Sequence, residues 1–360
     1  MPNVTLTGEY YWGIICGRMR ALKKKLLLLD FMTESKYGTK HNGMNIEEPW
    51  KKTAMALRKE SDGSRNIHTP VFLKEVLDFL DPKPGHAFID ATANGGGHLS
   101  AIAERVRPNG RLLAFELDPE IAESLVKKFE NNGAVIIVNQ SFVNMNAIAK
   151  EKNFGLADGI IFDLGLSSLQ LEESGRGFSF LRDEPLDMRF DSKRAELKAS
   201  DIVNHSTKEE LERIFKDYGQ ERFARKIAEA IVEERKRKSI IRTSELVECI
   251  RNAIPRVARH GKIHFATRVF QALRIAVNNE LETIQKGIME AIMELKRGGR
   301  VAVISFHSLE DGIVKRIFRQ EEKNGVIVQC MKKPLQPTQE EIYKNPRARS
   351  GKLRVAEKIV

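Results

Sequence analysis

Four short apolar runs limit this chain to very few folds, because each ends abruptly on a polar residue and each is followed by a helical pattern. Ala87-Phe88-Ile89 closes on Asp90, and Arg111 to Glu116 runs into F-E-L-D-P. Ala134 to Val138 leads to Gln140-Ser141-Phe142, and Gly159-Ile160-Ile161-Phe162 stops at Asp163. Runs that are apolar throughout suit strands buried on both faces, and their alternation with helices predicts an α/β class fold, a doubly wound parallel sheet. Such sheets hold ligands beyond the carboxyl ends of their strands. A fifth run, Arg300 to Phe306, follows the helix-ending Leu295-Lys-Arg-Gly-Gly299, and Val326–Val328 and Leu353–Ile359 read as the last strands.

Past the first run stands D-A-T-A-N-G-G-G-H-L-S, from Asp90 to Ser100. Strand, glycine loop and helix in that order bring a backbone close to a nucleoside or phosphate, and Gly95, Gly96 and Gly97 leave no Cβ in a ligand's way. The match to a dinucleotide fingerprint is partial, since Ser100 stands where Gly or Ala would complete it. His98 either contacts the ligand or caps the helix it begins. An acidic residue about 20 positions beyond such a loop is where a ribose diol is held; Glu116 and Asp118 both fall in that range. Phe142 either covers an adenine face or belongs to the core. The polar, glycine- and arginine-containing stretch from Asp163 to Asp191 reads as the floor and one wall of an active site.

The alternation then breaks. From 169 to 274 the pattern is helical, with a capping box at Thr207-Lys-Glu-Glu210, a basic connector from Arg256 to Lys262 and a long helix starting near Ala266. This segment is expected to be an inserted substrate-recognition domain, with 65–168 and 275–360 forming the discontinuous sheet domain. Ser308 to Asp311 fits a further N-cap box. Residues 1–64 lack a sustained period and are expected to form a poorly ordered extension.

Sixty Lys and Arg against 49 Asp and Glu give a net charge of +11, which suits a polyanionic partner. The three cysteines fall in no metal-ligand spacing and fit a reducing cytoplasm. No apolar run has the length of a membrane span, and no metal or membrane partner is expected. Three readings of the residues stay open: a dehydrogenase holding a nicotinamide dinucleotide, a methyltransferase holding S-adenosylmethionine, and a non-catalytic RNA-binding factor with a vestigial nucleoside fold. The basic insertion and Arg-rich tail tilt the balance towards methyl transfer on nucleic acid.

Longer motifs carry a resemblance. D-L-G-L-S-S-L-Q-L, R-G-F-S-F and P-L-D-M-R, then Y-G-Q-E-R-F-A, A-T-R-V-F-Q-A-L-R-I-A-V-N, G-G-R-V-A-V-I-S-F-H-S-L-E-D and N-P-R-A-R-S, are similar to the RsmH (MraW) family in that family's order across 67–360. The resemblance implies a class I Rossmann-like methyltransferase sheet with an inserted helical domain. It also implies S-adenosylmethionine-dependent methylation of N4 of one cytidine in the decoding centre of 16S rRNA in the small ribosomal subunit; another nucleic-acid amine is the alternative. Carried residue by residue, it places cofactor contacts on Gly96, Gly97, His98, Glu116, Phe142, Asp163 and Gln170. Asp163 is the best candidate to accept the target amine's hydrogen bond, or it serves the cofactor. Arg189, Arg268 and His307 are candidates for gripping the substrate; of Arg268 and Arg274, one is expected to be structural. The chain departs from the family pattern at Asn94 (usually Gly), Glu116 (usually Asp) and Phe265 (usually Pro).

Overall fold

The computed structural model describes residues 70–261 and 263–360; the extension expected over 1–64 lies outside them. After helix α1 (Leu73–Leu80) comes strand β1 (Ala87–Asp90), then α2 (Gly97–Arg105), β2 (Arg111–Phe115), α3 (Pro119–Phe129), β3 (Val135–Val138), α4 (Met145–Glu151), β4 (Ala157–Asp163) and the short α5 (Ser168–Glu172). Five helices follow without a strand: α6 (Ala199–His205), α7 (Lys208–Asp217), α8 (Ala224–Arg235), α9 (Thr243–Ala253) and α10 (Thr267–Asn278). Then come α11 (Glu280–Glu294), β5 (Leu295–Ser305), α12 (Ser308–Lys323), β6 (Ile327–Gln329), α13 (Gln339–Lys344) and β7 (Lys352–Lys358).

The seven strands form one sheet in the order β3-β2-β1-β4-β5-β7-β6. β1 to β5 run parallel to one another, while β7 runs antiparallel to both β5 and β6. The chain works outward from β1 to β3 and restarts at β4 on the other side of β1. That reversal opens a crevice at the strands' carboxyl ends, where Asp90 and Asp163 emerge side by side.

Alternate strand residues feed two cores, one on each face of the sheet. Ile89, Leu113, Ile160, Phe162 and Val303 pack under α4, α11 and α12, while Phe88, Leu112, Ile161 and Ile304 pack under α1 to α3. A third core lies among the inserted helices, built from Leu211, Phe215, Ile227, Ile231, Leu246, Ile250, Phe270 and Leu273. The Thr207 box forms as expected, with Thr207 Oγ1 accepting from Glu210 N and Glu210 Oε2 accepting from Thr207 N. The box expected at Ser308 is displaced by one residue: His307 caps α12, and Glu310 is its third-position partner.

The helix beginning near Ala266 is not continuous. It breaks at Asn279, whose φ of 48° is left-handed, and α11 restarts immediately. Asn tolerates that conformation better than most residues. α10 runs unbroken through the 274–275 boundary, so the backbone changes direction four residues later than the sequence pattern suggests. Arg274 on α10 reaches across the break to Glu280 on α11 with two hydrogen bonds, at 2.7 and 2.8 Å.

Candidate active site

A cleft of about 290 Å³ opens at the carboxyl ends of β1, β2 and β4. Its walls include Thr92 and Asn94 from the glycine loop, Glu116 after β2 and Phe142 after β3. Gln170 of α5, Phe190, and Asn278, Glu280 and Glu310 complete them. Of the seven expected cofactor residues, Glu116, Phe142 and Gln170 line the cleft directly. Asp163 and His98 stand behind the loop, with His98 Nδ1 at 3.7 Å from Asp163 Oδ2 and its Nε2 at 3.1 Å from the Val71 carbonyl. His98 does not cap α2; Gly96 holds that position.

Two of the glycines are required by packing within the protein. A Cβ on Gly96 would sit 2.8 Å from Leu125, and one on Gly97 would sit 2.3 Å from Pro70, so both side chains are forbidden by packing inside the protein. Gly96 also needs its φ of +73°. A Cβ on Gly95 meets nothing within 4 Å. Asn94 adopts φ 49°, and its Nδ2 donates to the Asp163 carbonyl, which a glycine could not do. The departure at Asn94 therefore ties the loop to the end of β4.

The two acids past the glycine loop divide their work. Asp118 is fully buried, caps α3 by accepting from Glu120 N, and pairs with the Arg176 guanidinium and Gln170 Nε2. Glu116 remains at the cleft, accepting from Asn94 N at 2.9 Å and Asp118 N at 2.8 Å. Phe142 packs edge-to-face on Phe162 at 5.3 Å, and it also lines the cleft. A Cβ on Gly287 of α11 would lie 2.3 Å from its ring, so that glycine makes room for it.

Electrostatically the site is one-sided. Burial pushes Glu116 up to about 8, Asp118's charge adding to it against the N–H donors of Asp118 and Asn94. Burial pushes Asp90 up to about 7 and Asp163 up to about 8, with the charges of Asp90 and Glu310 adding to the latter. Asp163 Oδ1 is buried and has no hydrogen-bond partner. No Lys or Arg appears among the described residues lining the cleft. Desolvated Glu116 on the cleft wall, with buried Asp90 and Asp163 at the neighbouring strand ends and no Lys or Arg among the described lining residues, suits a ligand that brings positive charge. S-adenosylmethionine fits that requirement: Glu116 suits a ribose diol, Phe142 an aromatic base, and the carboxylates a sulfonium or ammonium.

The substrate candidates separate. Arg189 has its guanidinium bidentate on Asp187, at 2.7 Å to each oxygen, and its Nη1 donates to the Ala195 carbonyl at 2.6 Å. These three bonds hold the D-M-R loop, where buried Met188 takes φ 61°, and engage three of the guanidinium's five N–H donors. Arg274 is mostly covered and engaged with Glu280, whereas Arg268 is exposed with one bond to the Gln220 carbonyl. His307 is nearly buried beside Glu310. At the third departure, Phe265 lies 4.2 Å from the His264 ring, which stacks on Phe180 at 4.4 Å.

Asn278, Glu280 and Glu310 were not anticipated. Asn278 Oδ1 accepts from Phe190 N and its Nδ2 donates to the Met188 carbonyl, fastening the D-M-R loop to the cleft. Asn278 and Glu310 belong to the R-I-A-V-N and S-L-E-D motifs, read as a helix interior and a helix cap, while Glu280 falls outside every motif. Glu280, His307 and Glu310 bring metal-type ligand atoms within 4.8 Å of one another. Arg274, on Glu280 and 4.0 Å from Glu310, already supplies positive charge to that cluster.

The family model of the MraW methylases matches residues 65–359. Ribosomal RNA small subunit methyltransferase H of Persephonella marina is 46% identical over 293 residues, 81% of this chain and 99% of that protein. The protein of the same name from Halothermothrix orenii is 42% identical over 308 residues, again 81% of this chain and 99% of its own length. Among solved structures, an rRNA methylase from Streptococcus thermophilus aligns with 11% identity and a TM-score of 0.39, covering 83% of this chain and all of that one.

Proposed function

We propose that this chain, which belongs to the MraW methylase family, methylates N4 of one cytidine in the decoding centre of small-subunit (16S) ribosomal RNA. As a methyltransferase of that family it uses S-adenosylmethionine. The observation that carries the reading is a cleft walled by Glu116, with buried Asp90 and Asp163 at the adjoining ends of β1 and β4 and no Lys or Arg among the described lining residues.

When bound, S-adenosylmethionine supplies an electrophilic methyl group on a positively charged sulfur. The chain's own groups have the remaining tasks. Glu116, pinned by two backbone donors, accepts from a ribose diol, and Phe142, held by Phe162 and Gly287, offers a ring face to the base. Asp163 and Asp90 hold the cationic end, and Gln170, fixed by its capping box and Asp118, closes the wall behind them. His98 seats Asp163, while Gly96 and Gly97 let α2 approach close enough for it to do so. The exocyclic amine of cytosine is a weak nucleophile, so orientation and preorganised charge account for most of the rate.

The helical segment 169–274 is the substrate-recognition domain in this reading, with exposed Arg268 on a phosphate. The target base leaves its stack to enter the cleft. Among the described residues no helix is long and apolar enough to cross a membrane; the rRNA reading itself places the work on ribosomal particles in the cytoplasm. The test is transfer of labelled methyl to small subunits lacking the modification, with nucleoside analysis of the product. Label in N4-methylcytidine at a single site is expected. Label in another nucleoside refutes the cytidine assignment, and firm RNA binding without any transfer refutes the catalytic one.

A further inference from the structure

We propose that Glu310 and His307 are the base-reading pair of the cleft, and that Glu310 also receives the proton the target amine gives up. This rests on the cytidine reading above and extends it to two residues at the start of α12.

Glu310 is fully buried, yet only one of its oxygens is used. Oε2 accepts from Phe306 N at 2.7 Å and His307 N at 3.2 Å, which fixes the carboxylate plane. Oε1 has no hydrogen-bond partner, and Glu310 lines the cleft. A buried carboxylate oxygen left unpaired costs free energy, so an acceptor held this rigidly at a cleft wall suits a donor that arrives with a ligand. His307 presents the complement. Its Nδ1 accepts from Glu310 N, which assigns the remaining proton to Nε2. That Nε2 lies 2.9 Å from Oε1 without the alignment of a hydrogen bond, and it too has no partner.

The chain thus offers an acceptor and a donor side by side, both buried. Cytosine carries an N4 amine donor next to the N3 acceptor, and carboxylates are suited to accepting from that amine. Uracil has the opposite order, an O4 acceptor beside an N3–H donor, and meets the pair like against like. The same contact selects the base and orients the amine.

It also assigns the proton. As the amine lone pair forms the new N–C bond, the methyl–sulfur bond pair returns to sulfur and N4 sheds one proton, which Glu310 Oε1 accepts. Burial alone would raise Glu310, but contact with His307, the charge of Arg274 and the Phe306 N–H hold it below the usual carboxylate range. Asp163 is pushed the other way and serves the cofactor's positive charge. Glu280, clamped by Arg274, keeps that guanidinium beside Glu310.

The test compares E310Q and E310D with the parent in single-turnover methyl transfer to unmodified small subunits. It is paired with calorimetric titration of S-adenosylhomocysteine and of cytidine and uridine monophosphates. E310Q keeps the shape and can keep the Phe306 bond, but it points an N–H where the acceptor stood. At saturating cofactor, a loss in turnover of about 100-fold or more is expected, with S-adenosylhomocysteine affinity within about twofold of the parent and the preference for cytidine monophosphate abolished. E310D keeps the charge and recovers part of the rate. E310Q turning over within a few-fold of the parent overturns the proposal, as does a loss that merely follows cofactor affinity. Label in a nucleoside other than cytidine removes the base assignment by itself, since the cofactor and E310Q measurements do not depend on it.

Discussion

Replacing Asp163 by Asn exposes the physical basis of the cofactor site, because it removes one buried charge and almost no volume. In the ligand-free protein the carboxyl is raised from 3.8 to about 8. That step corresponds to at most about 6 kcal/mol disfavouring the ionised form, and 17% exposure of the side chain lets water reduce it to a few kcal/mol. Its sign is fixed by proton counting. Between 3.8 and about 8 the folded protein holds a proton that the unfolded chain has released, so ligand-free stability falls as pH rises across that window. D163N should flatten this slope and be as stable as the parent, or more so, above it. Cofactor binding runs the other way, since a positive ligand favours the ionised carboxylate. Below about 8, binding must expel protons, and affinity should climb with pH by up to about tenfold per pH unit for each proton released. Asp90 and Glu116 titrate in the same range and couple to Asp163, so the diagnostic quantity is the difference between parent and variant. Calorimetry of S-adenosylmethionine in buffers of different ionisation enthalpy measures that release directly. D163N should bind about 10- to 100-fold more weakly near pH 8 and release fewer protons. Equal affinity, together with equal proton release, would refute the charge-balance reasoning.

Three further changes test other parts of the structure. G287V drives a branched side chain into the Phe142 ring, so it should cost about 1–3 kcal/mol in urea unfolding and weaken cofactor binding; unchanged affinity would detach Phe142 from the site. R176M leaves Asp118 buried without its cation and should cost about 3–5 kcal/mol, whereas N94G, which relieves the left-handed residue but loses the bond to Asp163, should stay within about 1 kcal/mol of the parent in the same assay. R268A should lower the salt dependence of RNA binding by about one phosphate contact and leave cofactor affinity untouched; an unaltered salt slope would remove Arg268 from the RNA face.

The sheet and its strand ends were legible because buried parallel strands announce themselves as uninterrupted apolar runs, and the residues just past each run lie at the crevice. Glu116 directly after β2, Phe142 four residues past β3 and Asp163 at the end of β4 could be located that way. Physics alone did not separate Glu116 from Asp118; that needed Arg176, 58 residues further on, to claim Asp118. The opposite wall was hidden for the same reason. Asn278 and Glu280 flank a helix break that the pattern smoothed over, since Asn279 disturbs no apolar period. Glu310 sat within a recognised capping motif, and a cap explains only one of its two oxygens. The structural work of Arg189 was equally hidden, since nothing in the D-M-R motif announces its bonds to the Asp187 carboxylate and the Ala195 carbonyl.

The break at Asn279 is also a joint. Asn278 and Glu280, on either side of it, line the cleft, while α10 is rooted in the core of the inserted helices and α11 in the core of the sheet. In the proposed reading a load on the helical segment is therefore borne by a wall of the cofactor cleft. Whatever free energy RNA exerts on that hinge must appear in the affinity for the cofactor, and whatever the cofactor exerts must appear in the grip on RNA, to the same amount.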